Sequence, residues 1–226
     1  AHSTHHTFRR TKLKHSRKQI QHGFSLLELA IALAVLAILA GGVLKGRELL
    51  NSARVQATIT DIANLETALS AFQARYSALP GDFIAAAAAG LSNSGGDGNG
   101  LIEGDESCNV FTHLQLSGFI QGDFTGGSDE SGNCTTGSTM GNQFSGRYLL
   151  NHTMQGPNSR ENAMALLIGE NIPVAQLAEI DRKLDDGNPL RGAVQVLSGE
   201  EELCTTLASQ WDEEQGANCA ALYIIR

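Results

Sequence analysis

Phe24 to Leu44 is an apolar run of 21 residues broken by a single charge, Glu28, and this run decides most of what the chain can be. At a rise of ~1.5 Å per residue it reaches about 31 Å as a helix, enough to cross the ~30 Å hydrocarbon core of a bilayer. Arg9, Arg10, Lys12, Lys14, Arg17 and Lys18 precede it with no acid among them, whereas only Lys45, Arg47 and Arg54 follow closely, beside Glu48. That bias places the head in the cytoplasm and the rest of the chain outside. A cleaved secretory signal is the competing expectation, because "LAGGVLKG" supplies small residues at the far end. Such signals, however, have apolar cores of about 7–15 residues, and here helical patterning continues past the end of the run.

From Val55 the apolar residues Ile59, Ile62, Leu65, Leu69, Phe72 and Tyr76 follow at spacings of 4, 3, 3, 4, 3 and 4, which is one face of an amphipathic helix. The pattern stops before Pro80, whose ring disfavours helical geometry in the residue ahead of it. The spacing predicts one helix over 25–77, roughly 80 Å long. Its first half belongs in lipid or among other helices, and its second half packs on a domain.

"GFSLLE" ahead of an apolar run resembles the N-terminal signature of type IV prepilins and the pseudopilins of type II secretion. The resemblance covers about residues 9–50. It implies cleavage after Gly23 by a membrane prepilin peptidase that also methylates the new amino group of Phe24. It also implies that Glu28, at the fifth mature position, acts in assembly. Lys45 stands where many members carry proline at about the twenty-second mature residue. Gly41, Gly42 and Gly46 supply local weakness there, or close helix contact. "FQARYSALPGDF" and "EIDRKLDDGNP" are similar to segments of pseudopilin-like proteins. The implied division is a basic leader over 1–23, a transmembrane half over 24–44, an amphipathic half over 45–79 and an exported pilin-like domain over 80–226. The implied fold is α+β, the long helix lying on a small antiparallel sheet. Implied partners are the peptidase, other pilin or pseudopilin subunits and an inner-membrane assembly platform, with the chain a single-pass protein of a bacterial inner membrane.

The chemistry of the signature is intelligible without the family. Gly23 has no side chain to obstruct a protease. Cleavage leaves an ammonium on Phe24, one turn from Glu28 on the same helix face. A carboxylate near the bilayer core costs about 2.5–3.5 kcal/mol and seeks a cation, which its own amine or that of a neighbouring subunit can supply.

Beyond the helix the composition changes, with 21 of the 25 glycines from Gly81 onward. The stretches "RYLLNHTM", "NAMALLIG", "GAVQVLSG" and "ALYIIR" read as strands bounded by turn residues. "VFTHLQLSGFI" reads as a helix ending near Gly118, "VAQLAEIDRKL" as another, and "AAAAAG" at 85–90 as a short one. Without the basic head, 10 basic residues face 24 acids, a balance that excludes nucleic acid as a partner and suits divalent cations. Cys108, Cys134, Cys204 and Cys219 form no CxxC pair. In an exported domain they are expected as disulfides, with three possible connectivities. Pairing 108 with 134 and 204 with 219 closes the shortest loops.

"GGDGNGLIEGDE", 95–106, fits the twelve-residue calcium loop, with Asp97 third, Asn99 fifth, Gly100 sixth, the Leu101 carbonyl seventh, Ile102 eighth and Glu106 twelfth. Gly95 occupies the first place, where aspartate belongs. Calcium is the one candidate ion, and no cofactor is required. Asp185 and Asp186 mark a second acidic loop. Past the leader only His113 and His152 remain as histidines, and no catalytic motif accompanies them, so an enzyme is not expected. Two functions fit: a structural filament subunit, or a membrane-tethered minor pilin-like binding or adhesion module, with or without calcium dependence.

Overall fold

The computed structural model describes residues 25–92 and 95–225. Gly23 and Phe24, with the basic leader, lie outside the described residues. The chain divides into two units, Ala1–Gly46 and Arg47–Arg226.

Helix α1, Leu26–Tyr76, begins in the first unit and continues into the second. Leucine and alanine, both strong helix formers, dominate its start. Ser25 opens it, its hydroxyl accepting from the Leu27 N–H at 3.3 Å and its carbonyl from the Leu29 N–H at 3.1 Å. In the first unit the apolar side chains are exposed, Leu26 at 87% and Ile38 at 74% among them, and the segment is long and apolar enough to cross a membrane. The helix ends where Ser77 turns to φ 54° while its N–H still reaches the Gln73 carbonyl at 2.9 Å, a left-handed cap three residues before Pro80.

In the second unit the heptad-like stripe is buried: Val55, Ile62, Leu65, Leu69 and Phe72 are core, with Ile59 and Tyr76 at its margin. The sheet that covers it has four antiparallel strands, β1 (Leu149–Asn151), β2 (Ala165–Pro173), β3 (Val194–Val196) and β4 (Asn218–Ile224), in the order β1-β2-β4-β3. Strand alternation sorts the side chains. Leu166, Ile168 and Ala221 join the core shared with α1, while Leu167, Leu222, Ala165 and Ala220 form a second cluster under Met154 and Leu197. Gly169, at φ 151°, sits at an irregularity in the β2–β4 register, where Asn142 closes in and donates to the Ile168 carbonyl at 2.8 Å.

Three further helices follow: α2 (Val110–Leu116), α3 (Val174–Leu184) and α4 (Glu201–Cys204), with a 3-10 turn over Gly104–Cys108. Gly118, at φ 81°, ends α2, and the Phe119 N–H returns to the Leu114 carbonyl at 2.9 Å. The alanine run 85–90 is not a helix. It winds as hydrogen-bonded turns, Ala89 to Ala85 and Leu91 to Ala86 at 2.9 Å, and Gly90 at φ 71° closes it. Five alanines are too few to repay helix nucleation, and only Ala86 and Leu91 find a core there. Disulfides join Cys108 to Cys134 and Cys204 to Cys219, leaving no free cysteine among the described residues.

Candidate functional site

Glu28 sits in the first turn of α1, exposed, beside Ser25 and, one turn on, Ile31 and Ala32. Ser25 and Glu28 have the Ser-x-x-Glu spacing of a helix start, and the positive end of the helix dipole favours an acid there. That benefit is about 0.3–1 kcal/mol.

The second region gathers carboxylates. Asp97 and Glu106 are brought together as the twelve-residue spacing implies, but the third acid is Asp82, from the "LPGD" turn after α1; the donor oxygens of all three lie within 4.8 Å of one another. Asp82 is buried and accepts backbone N–H bonds from Gly98 (2.6 Å), Asn99 (3.2 Å) and Gly100 (2.8 Å). It thus enters from outside the loop, in place of the absent first-position aspartate. The expected arrangement assumed contiguous donors and missed it, although Asp82 follows a glycine in a turn that a core helix feeds directly.

Glu106 accepts from the Asp97 N–H at 2.9 Å and the Glu103 N–H at 3.2 Å. Burial pushes its carboxyl above the ordinary value, the two backbone bonds oppose that, and the charges of Asp82 and Asp97 reinforce it. Asn99 donates to Asp97 Oδ2 at 3.2 Å and accepts from the Leu101 N–H at 2.7 Å, which fixes the loop between them. Three clustered acids of this kind are hard oxygen donors suited to a divalent cation.

Asp185 and Asp186 form a further group with Asp181. Asp181 is fully buried, accepts from Trp211 Nε1 at 2.8 Å and the Gly187 N–H at 3.2 Å, and is pushed up to about 6. Desolvation is the main cause; those two bonds oppose it, and the charges of Asp186 and Asp185 add to it. Sequence reasoning did not single out Asp181. Its place on the buried face of the amphipathic α3 is the signal that could have found it. Neither histidine stands in a catalytic arrangement. His113 Nδ1 accepts from the Gly81 N–H at 2.9 Å and His152 Nδ1 from the Ile102 N–H at 2.8 Å, so both hold backbone in place.

A membrane-length helix with an acid in its first turn, continuing into a long stripe that packs on a four-stranded antiparallel sheet, is a mixed α+β layout consistent with a pilin-like fold. The comparison with known families agrees at the helix start: residues 18–44 match the prokaryotic N-terminal methylation motif, the type IV prepilin and pseudopilin signature. The motif is structural rather than catalytic, and implies processing by a prepilin peptidase and assembly with other pilins. With the apolar start of α1, it fits anchoring in the inner membrane. No curated protein and no solved structure matches the chain.

Proposed function

We propose that this chain is a structural subunit of a type IV pilus or a type II secretion pseudopilus, and not an enzyme. It enters the inner membrane as a single-pass protein with its globular unit on the far side, is cut after Gly23, and is methylated on Phe24. The observation that carries this reading is the methylation motif over residues 18–44, which spans Gly23, Phe24 and Glu28 and coincides with the start of a membrane-length helix. The Phe24 ammonium of one subunit meets Glu28 of the next as the assembly platform feeds chains into the filament. A paired charge is tolerable in a low-dielectric bundle and an unpaired one is not, so neutralisation selects the helix register.

The test is cross-linking between neighbouring subunits in membranes of cells that assemble the filament. Glu28→Ala is expected to insert, to be cut after Gly23 and to fold its outer unit, yet to lose cross-links to wild-type subunits. Equal cross-linking of the two forms would overturn the assembly role.

A second reading is favoured by the grouping of Asp82, Asp97 and Glu106: a membrane-tethered binding or adhesion subunit whose 95–106 loop is ordered by calcium. Asp82, Asp97 and Glu106 would hold the ion, which would neutralise their mutual repulsion.

A further inference from the structure

Residues 192–225 contain six carboxylates and no lysine or arginine. Their exposed apex is the loop closed by the Cys204–Cys219 disulfide. The loop is firmly held: Thr205 bridges to Trp211, the Thr206 N–H bonds the Gln210 carbonyl at 2.8 Å, and the indole of the buried Trp211 is fixed on Asp181. At the tip Leu207 is completely exposed. Glu202 and Asp212 border the hollow around it, and Glu214 stands exposed two residues beyond Asp212. Glu213 is taken by Arg182 at 2.7 Å, whereas Glu202 and Glu214 have no ion pair among the described residues. A rigid apolar knob in an acidic rim is not a surface that solvent or an anionic bilayer favours.

Among its described residues the second unit carries one surface of opposite character. Arg147, Arg182, Lys183 and Arg191 are paired with acids, and Arg75 donates to the Ser117 carbonyl and lies over the Tyr76 ring. Arg160 stands alone in a loop. Arg47 and Arg54, however, lie two turns apart on one face of α1, exposed and without an ion pair among the described residues. Leu50, 62% exposed, falls between them at the i+3 and i−4 positions. The two surfaces match in charge order: acid, leucine, acid against arginine, leucine, arginine.

We propose that the Leu207 loop of one copy docks on the Arg47–Leu50–Arg54 face of a neighbouring copy, with Glu202 and Glu214 meeting the two arginines. The inference rests on the filament reading and names the contact between outer units. Two different surfaces joined head to tail give a heterologous contact, the kind that propagates as an open array instead of closing as a dimer. Lipid headgroups would account for the arginines but would repel the acidic loop; a second copy accounts for both.

The test places a photo-reactive amino acid at position 207 of the full chain, in membranes of cells that assemble the filament, and maps dimer-sized cross-links by mass spectrometry. Cross-links are expected on residues 47–54 of a second copy. Glu202→Lys with Glu214→Lys, or Arg47→Glu with Arg54→Glu, should lower their yield by roughly threefold or more, as expected when exposed ion pairs become repulsions; all four changes together should restore it. Cross-links mapping elsewhere, or a combined variant no better than either pair, would overturn the docking. An effect of the arginine variant alone would assign that face to lipid, and overturn it too. Normal loss of assembly in Glu28→Ala beside unchanged charge variants would sink this contact and leave the filament reading standing. No cross-linked copies in wild-type membranes would sink both.

Discussion

Tyr223, in the last strand, donates its hydroxyl to Oε1 of Glu66 on α1 at 3.0 Å, across 157 residues of sequence. Tyr148, just before β1, makes the matching bond to Asp61 Oδ2 at 3.2 Å. Asp61 and Glu66 flank the buried stripe of Ile62, Leu65 and Leu69 on opposite sides, so two tyrosines from the sheet side fix the rotation of the helix about its own axis. Burial, then the charge of Asp61, pushes the Tyr148 phenol up, so it remains a donor at any physiological pH.

The Tyr223–Glu66 bond is expected to contribute on the order of 1 kcal/mol, because its acceptor is charged but only part-buried. A double-mutant cycle with Tyr223→Phe and Glu66→Gln, followed by denaturant melting, should show coupling of that size. Additive effects would mean that the bond adds nothing to stability.

Asp181 sets a pH dependence whose sign is opposite to that of a salt-bridged acid. Its folded value, about 6, lies above the ordinary 3.8, so the native state holds the proton more tightly than the unfolded chain. Its contribution is fully present below about pH 4 and is lost as pH rises through about 6, by roughly 2–3 kcal/mol at most. His152 works the other way: burial keeps its pKa low, so stability is lost as pH falls through its unfolded value. Comparing Asp181→Asn with wild type isolates the aspartate. The variant should gain on wild type by a few degrees of melting temperature between pH 4.5 and 7.5. A constant difference across that range would refute the assignment.

If calcium orders the 95–106 loop, the full chain in detergent should melt at higher temperature as calcium rises, following RT ln(1 + [L]/Kd). Asp82→Asn and Glu106→Gln should each abolish the gain. No shift at millimolar calcium would leave the loop held by its own backbone bonds to Asp82 and Glu106.

Processing has the most direct readout. Protein from membranes of its host should have a mass that begins at N-methyl-Phe24. A mature chain beginning beyond Leu44 would instead make the apolar run an ordinary secretory signal.

Much of this architecture was legible because its determinants are periodic. The stripe from Val55 to Tyr76 and the proline after it mark the end of α1, α3 coincides with "VAQLAEIDRKL", and the four apolar stretches became the four strands. What was not legible depends on contacts between distant segments. Asp82 reaches the 95–106 loop only because α1 ends where it does, and Asp181 is significant only because Trp211 folds back onto it. The 3-10 turn Gly104–Cys108 and the four-residue α4 are each too short to leave a periodic trace. At 85–90 helix propensity was present, but Ala86 is the one side chain there that a partner surface buries.

Between Ser117 and Tyr148 the backbone contains no helix or strand, only the isolated bridges at Ser128–Cys134 and Gly141–Arg147. It is moored by the Cys108–Cys134 cross-link, by Asn142 on the Ile168 carbonyl and by a few turn bonds. Such a segment contributes outline more than cohesion. Its exposed positions are open to substitution over generations while the moorings stay, so this stretch of surface can diverge without disturbing the packing of the helix on the sheet.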